Sequence, residues 1–296
     1  MSQLIGAHVS TAGGTEKAMK RASEIGANAI QIFSGSPRFW KRRKLSEIAT
    51  DKLFSEQDKY GVKEIYVHAL YLTNLATDKP ELAKKSVDAL KYDLSFSSHI
   101  KAKGVIVHVG SHQGRGWESV RDDVATRIKE ILDNTPKDSI FLIENSAGQK
   151  GKVNSDLSEI RWLIDTVGSQ RLKWCLDTCH AFSAGYSLSK LQSKSNDNST
   201  LRGTSKIDRG LITDEIAKYQ LWDDLAVIHV NDSKGKFDGG IDRHENLGEG
   251  NITTEAFKEF LTHPQVAKKP LLLEVPGIEG NGPDKENIER LKELVK

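Results

Sequence analysis

The stretch Ile140-Phe141-Leu142-Ile143-Glu144 contains the pattern that decides the fold of this chain. A short apolar run of this kind is typical of a strand buried on both faces, and here it ends directly at a carboxylate. Seven further runs occur among the 296 residues, and successive runs begin 25 to 52 residues apart. These intervals suit a repeated unit of strand, loop and helix, so eight of them predict a closed (β/α)₈ TIM barrel of the α/β class. The runs begin near Leu4, Ala29, Ile65, Val105, Ile140, Trp174, Ala226 and Leu271.

The segments between the runs have helical patterns. One apolar stripe recurs every three or four residues and consists of Val120, Val124, Ile128, Ile131 and Leu132. Another helix is predicted to begin near Pro80, and the last one to extend from about Asp284 to Lys296. Length alone slightly favours two domains, but no Ser/Pro-rich linker divides the runs, so we predict a single domain over residues 1–296. Residues 188–206 are too polar to join a core and are predicted to form a surface loop, with a substrate lid as the alternative.

Composition excludes several classes of protein. No apolar run approaches the roughly 20 residues that a membrane-spanning helix needs, and the mean hydropathy is −0.48. The first residues lack the pattern of a signal peptide, and the two cysteines, Cys175 and Cys179, cannot form a disulfide framework, so we expect a cytoplasmic protein without a membrane partner. Lys and Arg total 43 against 41 for Asp and Glu, so any anionic partner must be bound by a local basic patch.

Residues suited to metal binding occur where the predicted strands end. In a barrel of this kind the active site lies at the carboxyl ends of the strands, so these side chains are expected to meet. Imidazoles and carboxylates are ligands for zinc, and to a lesser extent for manganese or iron. The candidate ligands at the ends of runs are His68, His108, Glu144, Asp177, His229 and Glu274. His180 lies just beyond the sixth run, and Asp242 and His244 lie in the loop after the seventh.

The number of these residues argues for several ions. A single histidine at a strand end is more often structural than a ligand, but this set includes five of the nine histidines in the chain. Without cations, carboxylates gathered at one rim would repel one another. A catalytic zinc takes about three protein ligands, so two or three ions are indicated. Such a cluster suits the hydrolysis of a phosphodiester.

A basic and aromatic segment, Ser36 to Lys44, follows the second run. Its cations could bind phosphates while an aromatic or guanidinium plane stacks against bases, although Trp40 alone is better explained as a core residue. Tyr71, three residues after His68, could insert into a nucleic-acid groove or pack on the rim. Lys234 and Arg243 are further candidates for phosphate binding.

Several longer motifs resemble those of the endonuclease IV family of apurinic/apyrimidinic endonucleases, the zinc enzymes of DNA base-excision repair. The amino-terminal one is Ile5-Gly6-Ala7-His8-Val9-Ser10, followed by Ala12-Gly13-Gly14. The central ones are Ile143-Glu144-Asn145-Ser146-Ala147-Gly148-Gln149 and Leu176-Asp177-Thr178-Cys179-His180-Ala181-Phe182. The last ones are His229-Val230-Asn231-Asp232-Ser233-Lys234, Asp242-Arg243-His244 and Leu247-Gly248-Glu249-Gly250. The similarity extends over essentially the whole chain.

The resemblance implies a xylose-isomerase-like (β/α)₈ barrel that holds three zinc ions. By this similarity, the first ion would be bound by His68, His108 and Glu144, the second by Glu144, Asp177, His229 and Glu274, and the third by His180, Asp242 and His244. It also implies that Glu144 helps to position the hydroxide that attacks phosphorus. Cleavage on the 5′ side of an abasic site would leave a 3′-hydroxyl and a 5′-deoxyribose phosphate, and blocked 3′ ends would also be processed.

The resemblance also implies double-stranded DNA with abasic sites as the partner, association with the nucleoid if the source is prokaryotic, and, by default, a monomer. Arg38 and Tyr71 occupy the positions from which family members insert side chains into DNA. Pro37, Phe39 and Ala69 depart from the polar residues of the best-known members.

Two other functions compete with this interpretation. A metal-dependent sugar isomerase would explain the barrel but would have no evident use for Asp242, His244 and the basic segment. A DNA-binding or structural protein without catalysis would be favoured by the loss of a bridging ligand, but Glu144 is present.

Overall fold

A computed structural model describes residues 3–190 and 209–296 of the chain. Eight parallel strands close into a barrel in the order β1-β10-β7-β6-β5-β4-β3-β2, and β8 and β9 form a separate antiparallel pair. The strands are β1 Ile5–His8, β2 Ala29–Phe33, β3 Glu64–His68, β4 Val105–Val107, β5 Phe141–Glu144, β6 Leu172–Asp177, β7 Leu225–His229, β8 Asp232–Ser233, β9 His244–Glu245 and β10 Leu271–Leu273. The predicted (β/α)₈ barrel is thereby confirmed.

Helices connect the barrel strands. The described α-helices are α1 Lys17–Ile25, α2 Thr50–Tyr60, α3 Pro80–His99, α4 Arg121–Asp133, α5 Leu157–Val167, α6 Thr178–Ser183, α7 Ile212–Lys218, α8 Thr254–Leu261 and α9 Lys285–Leu294. Short 3₁₀ turns occur at Leu45–Glu47, Trp117–Ser119 and Gln149–Gly151. The helices predicted to begin near Pro80 and to occupy the end of the chain are both present.

Local sequence signals explain several helix ends. The side chain of Asp284 accepts a hydrogen bond from the amide of Asn287 and so caps the start of α9. Asp156 and Thr253 cap α5 and α8 in the same way. Gly26 stops α1 with φ of 81°, in the left-handed region where a glycine has no steric penalty.

An apolar layer fills the inside of the barrel. It consists of Ala29, Tyr66, Ile106, Leu142, Cys175, Val227 and Leu272, one residue from each of seven strands. A larger core lies between the strands and the helices. Gly6 allows the barrel to close tightly, because a Cβ there would lie 2.3 Å from the carbonyl oxygen of Ala29.

The inner layer determines which side chains reach the mouth of the barrel. Side chains alternate along a strand, so the residue two positions after each inner-layer residue also points inward, one level higher. These second-level residues are Gln31, His68, His108, Glu144, Asp177, His229 and Glu274. Because side chains on a strand repeat their direction every two residues, six of the nine candidate ligands lie at this second level.

Two further predictions concern loops and membranes. The loop predicted at 188–206 lies outside the described residues from position 191 onward. Within the described parts of the chain, no helix combines the length and the apolar character needed to cross a membrane.

Candidate metal centre and active site

Seven of the nine candidate ligands line one cleft at the carboxyl ends of the barrel strands, and the other two, Asp177 and His229, are fully buried beside them. The cleft has a volume of about 1710 Å³. His180 reaches it from α6, directly after β6, and His244 reaches it from β9. The β8–β9 hairpin, which the sequence did not reveal, folds the loop after β7 back over the mouth and so brings Asp242 and His244 to the cleft.

The first group of ligands lies between β3, β4 and β5. Glu144 Oε2 is 3.4 Å from His68 Nε2 and 3.3 Å from His108 Nδ1. The other ring nitrogen of His68, Nδ1, lies 2.7 Å from the carbonyl oxygen of Ala69, to which it can donate a hydrogen bond. That contact leaves His68 Nε2 free to offer a lone pair to an ion.

The second group uses the other oxygen of the same glutamate. His229 Nδ1 is 3.1 Å from Glu144 Oε1, 3.1 Å from Glu274 Oε2 and 3.8 Å from Asp177 Oδ2. The two carboxylate oxygens of Glu144 thus face different groups of ligands. This is the arrangement that lets one carboxylate bridge two ions.

The third group lies beneath the hairpin. His180 Nε2 is 3.0 Å from Asp242 Oδ1, and His244 Nε2 is 3.8 Å from the same oxygen. Asp177 also approaches this group, since its Oδ2 is 3.5 Å from His244 Nε2. Asp177 therefore lies between the second and third groups and can serve either of them.

Amide side chains that the sequence interpretation missed orient these ligands. Gln31 Oε1 lies 2.7 Å from His229 Nε2, and its Nε2 donates to Glu274 Oε1 at 2.5 Å. The Asn231 side chain donates to Asp177 Oδ2 at 2.6 Å, and its oxygen accepts from the Glu274 amide. Such outer partners fix the tautomer and direction of a metal ligand. For Gln31 a signal was available, because it follows the inner-layer residue of β2 by two positions.

The donor atoms fit metal ions. Three buried ring nitrogens, His108 Nδ1, His180 Nε2 and His244 Nε2, make no hydrogen bond within the described structure, and all three face carboxylate oxygens of the cleft. A buried polar atom without a partner is costly, and a cation would satisfy all three nitrogens. Ligand atoms within 4.8 Å of one another occur in three sets. The first two sets are those predicted, but in the third Asp177 joins His180 and His244 in place of Asp242.

The pKa values of several titratable side chains in the cleft are strongly shifted. Burial disfavours the charged form of Glu144, yet His108 and His229 outweigh it and hold the pKa of this carboxyl well below its usual range. Burial also opposes the protonation of His180, but Asp177 and Asp242 raise its pKa to about 10. For His108 burial dominates and lowers the pKa to about 4. The Glu144 carboxylate is therefore ionised at neutral pH, as a metal ligand must be.

The basic and aromatic segment after β2 forms the rim beside the first group. Arg38 and Tyr71 both line the cleft, and the exposed fraction of Tyr71 is 57%. The Tyr71 amide donates to the carbonyl oxygen of Pro37 at 3.2 Å, so the loops after β2 and β3 are joined. Phe39 is 66% exposed on the same loop. These side chains are positioned to contact a large ligand that enters the cleft.

The remaining DNA-binding candidates lie away from the cleft lining. Lys234 and Arg243 are both exposed and are absent from the residues that line the cleft. The ammonium group of Lys234 is 3.2 Å from Glu245 Oε2. A cation that the sequence interpretation missed, Lys152, does line the cleft and is 3.0 Å from Asp242 Oδ2.

Comparisons with known proteins agree with this geometry. The model of the family described as xylose isomerase-like TIM barrel matches residues 19–294. A probable endonuclease 4 of Halothermothrix orenii is 35% identical over 291 residues, which cover 97% of this chain and 99% of the relative. A probable endonuclease 4 of Aquifex aeolicus is 34% identical over 292 residues, covering 98% of this chain and 97% of the relative.

Solved structures of other proteins are also similar to this chain. Endonuclease IV from Thermus thermophilus superimposes with a TM-score of 0.82 and 29% identity, covering 99% of this chain and 98% of that one. A D-tagatose 3-epimerase-like protein has a TM-score of 0.69 at 18% identity, covering 99% of this chain and 97% of that one, and shows the shared fold alone.

Proposed function

This chain belongs to the endonuclease IV family, and from that premise we propose that it is a metal-dependent DNA-repair endonuclease that cleaves the phosphodiester on the 5′ side of an abasic site. The products are a 3′-hydroxyl and a 5′-deoxyribose phosphate. The observation that carries the proposal is the position of Glu144, whose two oxygens face separate sets of buried ligands. A site that holds ions side by side suits phosphodiester hydrolysis better than a reaction that needs one ion.

We assign the ligands to three ions. His68, His108 and Glu144 would hold the first, and Glu144, Asp177, His229 and Glu274 the second. His180, Asp242 and His244 would hold the third, with Asp177 close by. Zn²⁺ suits this set of imidazoles and carboxylates, with Mn²⁺ or Fe²⁺ possible at one or more sites. When bound, the ions would lower the pKa of water and neutralise the charge that develops on the phosphate.

The residues of the chain supply orientation. Glu144 is the residue that would orient the attacking water, because its carboxylate is buried, ionised and central to the cleft. Gln31, Asn145 and Asn231 hold the ligands in fixed directions, so little reorganisation is needed during the reaction. We further propose that blocked 3′ ends are removed at the same site, because that reaction also hydrolyses a phosphate ester.

DNA binding is assigned to the rim. Arg38 and Tyr71 would enter the duplex beside the abasic sugar, and Lys234 and Arg243 would bind the backbone outside the cleft. The protein would act as a monomer on DNA in the cytoplasm, at the nucleoid if its source is prokaryotic. A sugar isomerase remains the alternative function, but epimerase-like structures share only the fold with this chain.

Metal analysis combined with a cleavage assay tests the proposal. We expect close to three zinc ions per purified chain and nicking of a duplex with one abasic site, but not of the intact duplex. Exhaustive chelation should abolish nicking, and Zn²⁺ but not Mg²⁺ should restore it. The matched control is His99→Gln, which removes an exposed imidazole at the end of α3. Full nicking after complete metal removal would refute the proposal, and turnover of an aldose by the loaded protein would favour the isomerase.

A further inference from the structure

Arg42 differs from its neighbours in the basic segment after β2. Lys41, Arg43 and Lys44 are exposed, as expected for cations that meet solvent or phosphate. The side chain of Arg42 is only 9% exposed and points towards α3. A buried arginine in a basic loop calls for an explanation other than attraction of an anionic ligand.

The guanidinium group of Arg42 donates hydrogen bonds to backbone carbonyl groups of the loop. Its Nη1 lies 2.9 Å from the carbonyl oxygen of Phe39 and within 3.3 to 3.4 Å of those of Ser36 and Lys41. One side chain thereby contacts three peptide groups of a six-residue segment. Because exposed loops have few other contacts, these hydrogen bonds restrict the backbone of residues 36–41.

Asp93 anchors the arginine to the barrel. Arg42 Nε lies 3.6 Å from Asp93 Oδ1, and the Asp93 side chain is fully buried on α3. The Ser34 hydroxyl, at the end of β2, donates to the same Asp93 oxygen at 2.5 Å. A buried carboxylate needs such partners, because a charge removed from water without compensation is strongly destabilising. The strand end, the helix and the loop therefore meet at one carboxylate.

Residues 36–41 carry exposed side chains of the rim. Arg38, which lines the cleft, lies between the Ser36 and Phe39 carbonyl groups that Arg42 contacts, and the Phe39 side chain is 66% exposed. The same segment accepts the hydrogen bond from the Tyr71 amide through the Pro37 carbonyl. Any change in the shape of residues 36–41 would thus displace Arg38, Phe39 and Tyr71 together.

We propose that Arg42, held by Asp93, is a positioning residue that presets the 36–41 segment in the shape that presents Arg38 and Phe39 to abasic DNA. The identity of the ligand rests on the proposed function, whereas the ordering of the segment does not. A loop ordered before binding loses less conformational entropy on contact with the ligand, so the anchor strengthens binding without touching DNA.

The first test measures the ordering of the segment without DNA. Arg42→Met keeps the aliphatic stem and removes the donors, and Lys41→Met is the matched control because it removes the exposed cation next to it. We expect exchange of the Tyr71 amide, which donates to the Pro37 carbonyl of this segment, to rise about tenfold in Arg42→Met, because the loss of three hydrogen bonds loosens the backbone that accepts it. Lys41→Met should leave exchange unchanged. Equal exchange in the wild type and Arg42→Met would overturn the proposal.

The second test measures recognition of the abasic site. Lys41→Met removes an exposed cation and should weaken binding to intact and abasic duplex alike. Only Arg42→Met should reduce the preference for abasic over intact duplex, by about tenfold. KM should rise while kcat and zinc content stay within about twofold, since the anchor does not touch the reacting phosphate. Adding Arg38→Ala to Arg42→Met should cost less preference than in the wild-type background, because both act through one segment.

Failure to fold and failure of the proposed function give different results. If Arg42→Met does not fold because Asp93 is left unpaired, the double variant Arg42→Met/Asp93→Asn removes both charges and allows the same measurements. If the wild type shows no preference for abasic duplex, the proposed function fails, while hydrogen exchange still decides the role of Arg42. An equal loss of abasic preference in Lys41→Met and Arg42→Met would show that only charge matters and would overturn the proposal.

Discussion

The metal centre and the rim loop of residues 36–44 lie side by side at the mouth of the barrel but are built in different ways. The ligands of the centre stand mainly on strand ends, are mostly buried and are oriented by Gln31, Asn145 and Asn231. The rim loop is largely exposed and depends on a few contacts from Arg42 and Tyr71. Under the proposed function, catalysis would belong to the rigid strand ends and recognition of DNA to an exposed loop.

This division makes an experimental distinction possible. Changes in the metal centre should reduce turnover or metal content, whereas changes in the rim should reduce affinity for DNA and leave the metal in place. A rim variant that lost metal, or a metal-centre variant that lost only DNA affinity, would contradict this division.

The largest expected effect is that of Glu144→Gln. The amide keeps the size of the side chain but removes the charge that both ligand groups share, so kcat should fall by about 10² to 10⁴. Affinity for abasic duplex should change only a few-fold. Single-turnover cleavage, gel shift and metal analysis measure these quantities. An equal loss of turnover and affinity would mean that the whole site collapses and would erase the contrast with the rim.

Next in size is the effect of Arg38→Ala. If Arg38 stacks on or replaces a base as proposed, its removal should weaken binding of abasic duplex by about 10- to 100-fold. The zinc content should not change, because Arg38 belongs to the rim loop and to none of the ligand groups. Lys258→Ala, on the exposed side of α8, is the control. Unchanged affinity in Arg38→Ala would remove the rim from the DNA-binding surface.

The pH dependence of folding stability should report on Asp93, the partner of Arg42, separately from the metal ligands. Burial raises the pKa of Asp93 from 3.8 to about 6, while Arg42 and Ser34 counteract it. A raised acid pKa means that the folded state binds a proton more readily, so ionisation of Asp93 costs stability as pH rises through this range. Relative to Asp93→Asn, the folding equilibrium of the wild type should therefore become about 25-fold less favourable between about pH 4.5 and 7.

Urea unfolding of the two proteins at each pH checks this expectation. The metal ligands titrate equally in both proteins, so their contribution cancels in the comparison. A stability difference that is independent of pH would show that the pKa of Asp93 is not raised.

The smallest effect is expected for Lys234→Ala. Its ammonium already pairs with Glu245, so a phosphate would have to compete for it. Affinity should fall only a few-fold, and the slope of log K against log salt should become shallower by about 0.9 if one phosphate contact is lost. Binding measured over a range of salt concentrations tests this. An unchanged slope would limit the DNA surface to the rim loop.

Much of the barrel and of the metal centre could be predicted from local pattern. The eight apolar runs begin within a few residues of the observed barrel strands, and six ligands follow the inner layer of the barrel by two positions. Both signals depend on strand period alone. The hairpin of β8 and β9 could not be predicted in this way, because each strand has only two residues. Asp242 and His244 are still predicted as candidate ligands from their residue types in the loop after the seventh run, and motif similarity assigns them to a third ion.

The strand repeat, the chemical type of the ligands and the basic character of the rim can be recognised in the sequence alone, because these properties belong to single segments. Three contacts arise only from tertiary folding: those of Glu144 with two ligand groups, of Gln31 with His229 and of Arg42 with Asp93. These pairs are separated by tens to hundreds of residues along the chain, and closure of the barrel is the physical event that brings them into contact.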